Sequence, residues 1–214
     1  IRNCDWSSDV CSSDLAACDP RLLKLPGEYT DDDSGKLDAL MEVVSEAIQS
    51  GHRTLVFSQF VELLQCWGAD LAREGIAFEY LDGRTADRDA VVRRFQEGAA
   101  PLFLISLKAG GAGLNLTAAD TVIHCDPWWN PAVEDQATAR AHRMGQTRGV
   151  TVYRLVARGT VEERVIALKA RKQSLADAVI HGDGSGALAG LSADDVASLL
   201  ADADTDEPAA ESPW

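Results

Sequence analysis

The sequence predicts an α/β fold built on a mainly parallel sheet with helices on both faces. Three observations predict it. Short runs rich in Val, Ile, Leu and Phe alternate with longer amphipathic segments, the pattern of strand and crossover helix. The strand runs are almost unbroken in their hydrophobicity, as expected where both sheet faces are covered. Clusters of Gly, Asp and Asn punctuate the chain just after these runs. With 214 residues and 46% hydrophobic content, the chain is long enough to bury a core of one medium domain.

Each element has its own signal. In K-L-D-A-L-M-E-V-V-S-E-A-I, residues Leu37, Leu40, Met41, Val44 and Ile48 recur at helical spacing, and Ser34 stands where a cap is needed. Thr54 to Phe57 reads as a short buried strand and Val61 to Arg73 as a helix. Phe78 to Leu81 is the next strand, Ala86 to Gln96 the next helix, and Leu102 to Ser106 the third strand. Thr121 to Cys125 follows as a strand, and Ala132 to His142 as a helix with Pro131 at its first turn. Thr151 to Val156 is the last strand. A long helix from Val161 to Val179 closes the pattern, with Val161, Val165, Leu168, Leu175 and Val179 on its apolar side and Lys169, Arg171 and Lys172 on its wet side.

The two ends differ from this middle. Residues 1–15 repeat a Ser-Ser-Asp theme, hold Cys4 and Cys11, and follow neither hydrophobic period, so they read as non-native, adapter-derived sequence. Residues 16–34 read as a linker and 182–214 as a flexible acidic tail. The net charge is −14, but Lys36 to Ile180 carries 17 Lys and Arg against 18 Asp and Glu. Residues before that carry 3 against 8, and those after it 0 against 8. A nearly neutral body can present a basic cleft, so overall acidity does not exclude a nucleic-acid partner. The cysteines number five, without a C-x-x-C or a Cys/His grouping of metal-ligand spacing. Cys66 and Cys125 lie in apolar contexts, so free thiols in a reducing compartment and no metal site are expected. No apolar run approaches the roughly 18 residues that span a bilayer, and no signal-type segment opens the chain. The expectation is a cytoplasmic protein with no membrane partner.

Ligands of parallel α/β sheets collect beyond the carboxyl ends of the strands, and the distinctive residues fall there. Ser58 and Gln59 follow the first strand, Asp82-Gly83-Arg84-Thr85 the second, Leu107 to Asn115 the third and Asp126 to Pro131 the fourth. Asp82 reads as a turn former. Gly110, Gly111 and Gly113 would let backbone approach a phosphate or a sugar closely. The segment D-Q-A-T-A-R-A-H-R-M-G-Q sets Arg140 and Arg143 three residues apart on one helical face, where both can reach one polyanion and stabilise charge on a transferring phosphoryl group. Nothing matches the phosphate-cradling G-x-x-x-x-G-K-[ST] loop, so the main nucleotide grip lies outside these residues.

Taken in order, T-L-V-F-S-Q-F, Y-L-D-G-R-T, L-I-S-L-K-A-G-G-A-G-L-N-L-T-A-A-D-T-V-I-H-C-D-P-W-W-N-P and D-Q-A-T-A-R-A-H-R-M-G-Q resemble the second RecA-like lobe of SWI/SNF-type ATPases of helicase superfamily two. The resemblance runs from about Lys36 to Ile180. It implies a RecA-like lobe over 35–159, a brace helix over 160–181 packing back across the lobes, and an ATP-driven motor that tracks along double-stranded DNA and displaces or remodels bound proteins. By position, Arg140 and Arg143 would be arginine fingers and Gln136 would link their helix to the nucleotide. Gly111 and Gly113 would permit a loop that couples nucleotide state to DNA grip, with Asn115 contributing. Ser58, Gln59, Arg84, Thr85 and Lys108 would contact DNA phosphates, and Trp129 would touch the tracked strand. Lys108 stands where arginine is more usual, which keeps the charge but loses bidentate geometry. ATP and Mg2+ would be held mainly by the first lobe, without which the lobe is expected to be inactive. The implied partners are duplex DNA, that first lobe and DNA-bound proteins as cargo. Two other readings stay open: a stand-alone nucleic-acid or protein binding module without turnover, and a lobe of a strand-separating helicase.

Overall fold

The structure is a computed structural model and describes residues 12–23, 34–109, 114–128, 130–143, 146 and 148–180. Its elements are α1 (Ser12–Cys18), a 3-10 turn (Pro20–Leu23), α2 (Gly35–Gln49), β1 (Thr54–Ser58), α3 (Val61–Arg73), β2 (Phe78–Leu81), α4 (Arg88–Glu97), β3 (Leu102–Ser106), β4 (Thr121–His124), α5 (Pro131–Thr138), β5 (Thr151–Arg154) and α6 (Val161–Ile180). The strands form one sheet in the order β2-β3-β1-β4-β5, and every pairing is parallel. This is the expected RecA-like α/β fold.

Side chains alternate across the strands, so β1, β3 and β4 each feed two cores. Val56, Leu102, Leu104 and Ile123 join Leu40 and Val44 of α2 and Leu63, Leu64, Trp67 and Leu71 of α3 on one face. Leu55, Phe57, Phe103, Ile105 and Val122 join Val91 and Phe95 of α4 and Ala137 of α5 on the other. β1 and β3 are buried along their whole length, which is why their sequence runs are almost wholly apolar. Among the described residues β5 is an edge strand, with Thr151, Tyr153 and Arg154 exposed, and its polar side chains suit a border.

Local chemistry sets the helix ends. The Ser34 hydroxyl accepts the Leu37 N–H at 3.3 Å and caps α2. Gly51 and Gly75, just beyond α2 and α3, adopt φ of +73° and +72°, a region costly for any side chain. α4 starts at Arg88 rather than Ala86 because the Asp87 carboxylate accepts the Ala90 N–H at 2.9 Å. The first residues of α6 pack into the body, with Val165 buried. From Ala167 the helix continues in a second unit, where Leu168, read as apolar packing, is exposed.

The stretch expected to be a linker departs from that reading. Cys18 and Leu22 are buried in the α2–α3 core, and Leu15 packs against it. The Asp19 carboxylate accepts the Trp67 indole N–H at 2.9 Å and pairs with Arg21, which also reaches Asp70 at 2.9 Å. Burial alone would raise the Asp19 pKa, but the bonds from Arg21 and Trp67 hold it below the usual carboxylate range. Residues 12–18 form a helix, although 12–15 show no clear hydrophobic period. The tail 182–214 lies outside the described residues.

Candidate nucleotide and nucleic-acid interface

The carboxyl ends of β1, β3 and β4 lie side by side, so the loops that follow them share one rim. Gln59 is half-buried there, and Lys108 is exposed beyond β3. Arg84 is exposed in the turn after β2. The Asp82 carboxylate accepts the Arg84 N–H at 2.9 Å and faces the Thr85 hydroxyl at 3.3 Å, so Asp82 is the turn former the sequence suggested. The Thr85 hydroxyl also accepts the Asp82 N–H at 3.0 Å. Thr85 is thus part of the turn that presents Arg84.

Ser58 departs from its expected role as a phosphate contact. Its side chain is fully buried, donating to Asp126 Oδ1 at 2.5 Å and accepting the Phe60 N–H at 3.0 Å. Its one donor is already given to Asp126, so none is left for a backbone phosphate.

The arginine pair is arranged differently from the helical face the spacing predicts. α5 ends at Thr138, and the chain continues in tight turns through the bonds Arg140 N–H to Ala137 C=O and Ala141 N–H to Thr138 C=O. Arg140 points inward and is 3% exposed, whereas Arg143 is exposed. The Arg140 guanidinium lies 5.9 Å from the centre of the Phe57 ring, near the carboxyl end of β1. Its Nη1 is buried with no hydrogen-bond partner among the described residues. Burial first, and then Arg143, push its pKa below the usual arginine value. Gln136 is exposed on α5, and Asn115 is exposed in a loop whose neighbour Leu116 donates its N–H to the Arg140 C=O at 3.1 Å. Gly111, Gly113 and Trp129 lie outside the described residues.

The helicase conserved C-terminal domain family matches residues 35–145. The chain belongs to that family, as a C-terminal lobe of the SWI2/SNF2 type. A DNA repair protein, RAD5A of Arabidopsis thaliana, is 44% identical over 146 residues, covering 67% of this chain and 14% of the relative. A putative ATP-dependent helicase/translocase of Bacillus subtilis, YwqA, is 40% identical over 172 residues, covering 78% of this chain and 19% of the relative. The solved SWI2/SNF2 ATPase core of Sulfolobus solfataricus in complex with double-stranded DNA is 37% identical with a TM-score of 0.63, covering 79% of this chain and 36% of that one. The lobe spans at most about a fifth of the length of such curated relatives.

Several polar residues that organise the SWI2/SNF2 lobe escaped the sequence reading. The Glu134 carboxylate, 3% exposed, accepts the Trp128 N–H at 2.7 Å and faces Arg154 at 3.4 Å, fixing the loop between β4 and α5. Gln146 donates to the carbonyls of Thr117 at 3.1 Å and Ala119 at 2.7 Å, tying the arginine turn to the loop after β3. Gln96 of α4 holds that loop from its other side, through Asn115 C=O at 2.7 Å and Ala118 N–H at 2.9 Å. Buried Glu134 and Asp126 stand on or beside elements called from apolar spacing, and spacing alone says nothing of a carboxylate that turns inward. Among the described residues no helix is long and apolar enough to cross a membrane.

Proposed function

We propose that this chain is the C-terminal motor lobe of an ATP-dependent double-stranded DNA translocase or remodeller, donating Arg140 and Arg143 to a triphosphate that another lobe holds. The observation that carries the reading is the buried Arg140 guanidinium, whose Nη1 has no hydrogen-bond partner among the described residues. A buried cation without a full set of partners is a poor stabiliser, so its retention fits an anion supplied from outside. The exposed Arg143 and Gln136 belong to the same turn and helix. ATP and Mg2+ would be held mainly by the first lobe, the metal neutralising phosphate charge there, while the arginines here reach phosphate oxygens. Gln59, Arg84 and Lys108, with Trp129, would supply sequence-independent contacts to duplex DNA, and DNA-bound proteins would be the cargo. The region 35–159 would be the lobe proper and 160–181 its brace. The buried thiols of Cys18 and Cys125 fit a reducing, cytoplasmic setting.

The test uses two substitutions. Arg140→Met keeps the volume of the buried stem and removes the unpaired charge, so it should leave the urea midpoint of this chain unchanged or higher. In the ATPase that joins this lobe to its ATP-binding lobe, the same change, or Arg143→Ala, should slow turnover by roughly a thousandfold while duplex binding persists. Strong destabilisation by Arg140→Met with normal turnover would make Arg140 a structural residue and remove the reading's main support.

A further inference from the structure

A cluster of buried charges lies behind the rim and has no part in the reading above. Asp126, two residues beyond β4, is 1% exposed. Its Oδ1 accepts the Ser58 hydroxyl at 2.5 Å and its Oδ2 accepts the Gln59 backbone N–H at 3.1 Å. Ser58 in turn accepts the N–H of Phe60, the residue before α3, so both hydrogen bonds act on the turn that presents Gln59. Nearby, Lys36 from the first turn of α2 is 6% exposed; its Nζ donates to the Cys125 carbonyl at 2.8 Å and pairs with Glu162 of α6 at 2.5 Å. Glu162 also accepts the Ala157 N–H at 2.8 Å and the Cys18 thiol at 3.6 Å. Lys36 thus joins Glu162 to the carbonyl of the residue before Asp126, and the bonds of the cluster reach α1, α2, the β1–α3 turn, the end of β4 and the first turn of α6.

Apolar filler would make a cheaper core than this arrangement, since buried ion pairs seldom add net stability. What apolar side chains could not do is fix a backbone N–H and a hydroxyl of the rim turn in one geometry. Gln59 and Asp126 also share a narrow crevice with Val161 and Glu162, so the start of α6 abuts the same turn. We propose that Asp126 is a positioning residue for the duplex-facing turn at Gln59, and that the Lys36–Glu162 pair links the setting of that turn to the first turn of α6. The proposal rests on the DNA-motor reading for what Gln59 contacts, while the hold on the turn is a property of this lobe by itself. Asp126 acts through Gln59 and touches neither DNA nor nucleotide.

In the ATPase containing this lobe, Asp126→Ala should raise the duplex concentration for half-maximal stimulation about tenfold, with the rate at saturating DNA within about twofold of wild type. Asp126→Asn should stay within about threefold of wild type. Its carbonyl can accept the Gln59 N–H while its NH2 donates to the Ser58 hydroxyl, so rescue by the amide separates positioning from charge. Glu162→Gln, which weakens the pair with Lys36, should give a smaller rise of about threefold. An unchanged half-saturation in Asp126→Ala, or equal losses in the Ala and Asn variants, overturns the assignment. Should Asp126→Ala fail to fold, Ser58→Ala removes with a single oxygen both the bond to Asp126 and the one accepted from the Phe60 N–H, and no change there is equally decisive. If duplex DNA does not stimulate the wild-type enzyme, the motor reading falls instead. The positioning role is then judged by hydrogen exchange at the Gln59 amide, which Asp126→Ala should speed at least about tenfold; an unaltered exchange rate would overturn it.

Discussion

At the scale of single residues, the buried carboxylates divide by the sign of their pH dependence. Burial at the carboxyl edge of the sheet raises the Asp126 pKa to about 6, against the opposing pull of the Ser58 hydroxyl, the Gln59 N–H and Lys36. A carboxyl whose folded pKa exceeds its unfolded value of about 3.9 stabilises fully below that value and loses the contribution as pH rises through about 6. Asp120, at the amino edge, behaves oppositely. Burial would raise its pKa, but His52 at 2.9 Å, Arg148 at 3.0 Å and the Arg53 N–H at 3.1 Å together hold it low, so its contribution is present above about pH 4 and lost as pH falls further. Asp126→Asn removes the first titration alone. Its effect on unfolding free energy should therefore be about 1 to 2 kcal/mol more favourable at pH 8 than at pH 5, measured by urea denaturation at each pH. An effect of the same size at both pH values would mean that Asp126 is ionised throughout. None of this was legible in sequence, where Asp126 is one polar residue in a loop and its hydroxyl partner lies 68 positions away.

At the scale of elements, the sequence was most reliable where one local signal dominates. β1 and β3 are unbroken apolar runs and emerge with nearly the expected bounds, as does α3 from its amphipathic spacing. Errors fall where a polar side chain decides the end. Asp87 moves the start of α4, and α5 stops at Thr138 although Ala139 to His142 are compatible with helix by propensity. The tight turns that replace its last turn send Arg140 inward and leave Arg143 outside, an outcome that i, i+3 spacing alone could not give. The other end of α5 is set by Asn130, whose Oδ1 accepts the Ala132 N–H at 3.0 Å, with Pro131 fixing the first helical residue. Asn130→Ala should cost about 1 kcal/mol of stability. Because α5 leads directly into the arginine turn, that variant should also show faster hydrogen exchange from Ala132 to Thr138 than the wild type; unchanged exchange and an unchanged urea midpoint would mean that Pro131 alone suffices to start the helix.

At the scale of the whole molecule, the alternation of strand and helix foretold a parallel sheet between two helical layers, but it could not reveal how the α2–α3 layer is completed. That layer is closed by residues before the first strongly periodic segment. Cys18 and Leu22 enter its core, and Asp19 takes the indole N–H of Trp67, a side chain with no exposed surface. The segment was illegible because it is short, lacks a sustained hydrophobic period, and contributes single residues to a core built mostly by others. Its energetic weight can still be bounded. Burying Leu22 is worth about 1.5–3 kcal/mol and the smaller Cys18 somewhat less, and the Trp67–Asp19 hydrogen bond adds about 1.5–3 because its acceptor is charged. Ordering the segment consumes part of that sum. Removal of residues 1–23 should therefore lower stability by about 2–4 kcal/mol, which at a urea slope of about 2 kcal/mol/M shifts the midpoint down by about 1–2 M. The Trp67 environment should become wetter in near-UV circular dichroism, since its indole would lose both its acceptor and its cover. A truncated chain with the wild-type midpoint would show that α2 and α3 close this layer by themselves and that the preceding residues merely rest against it.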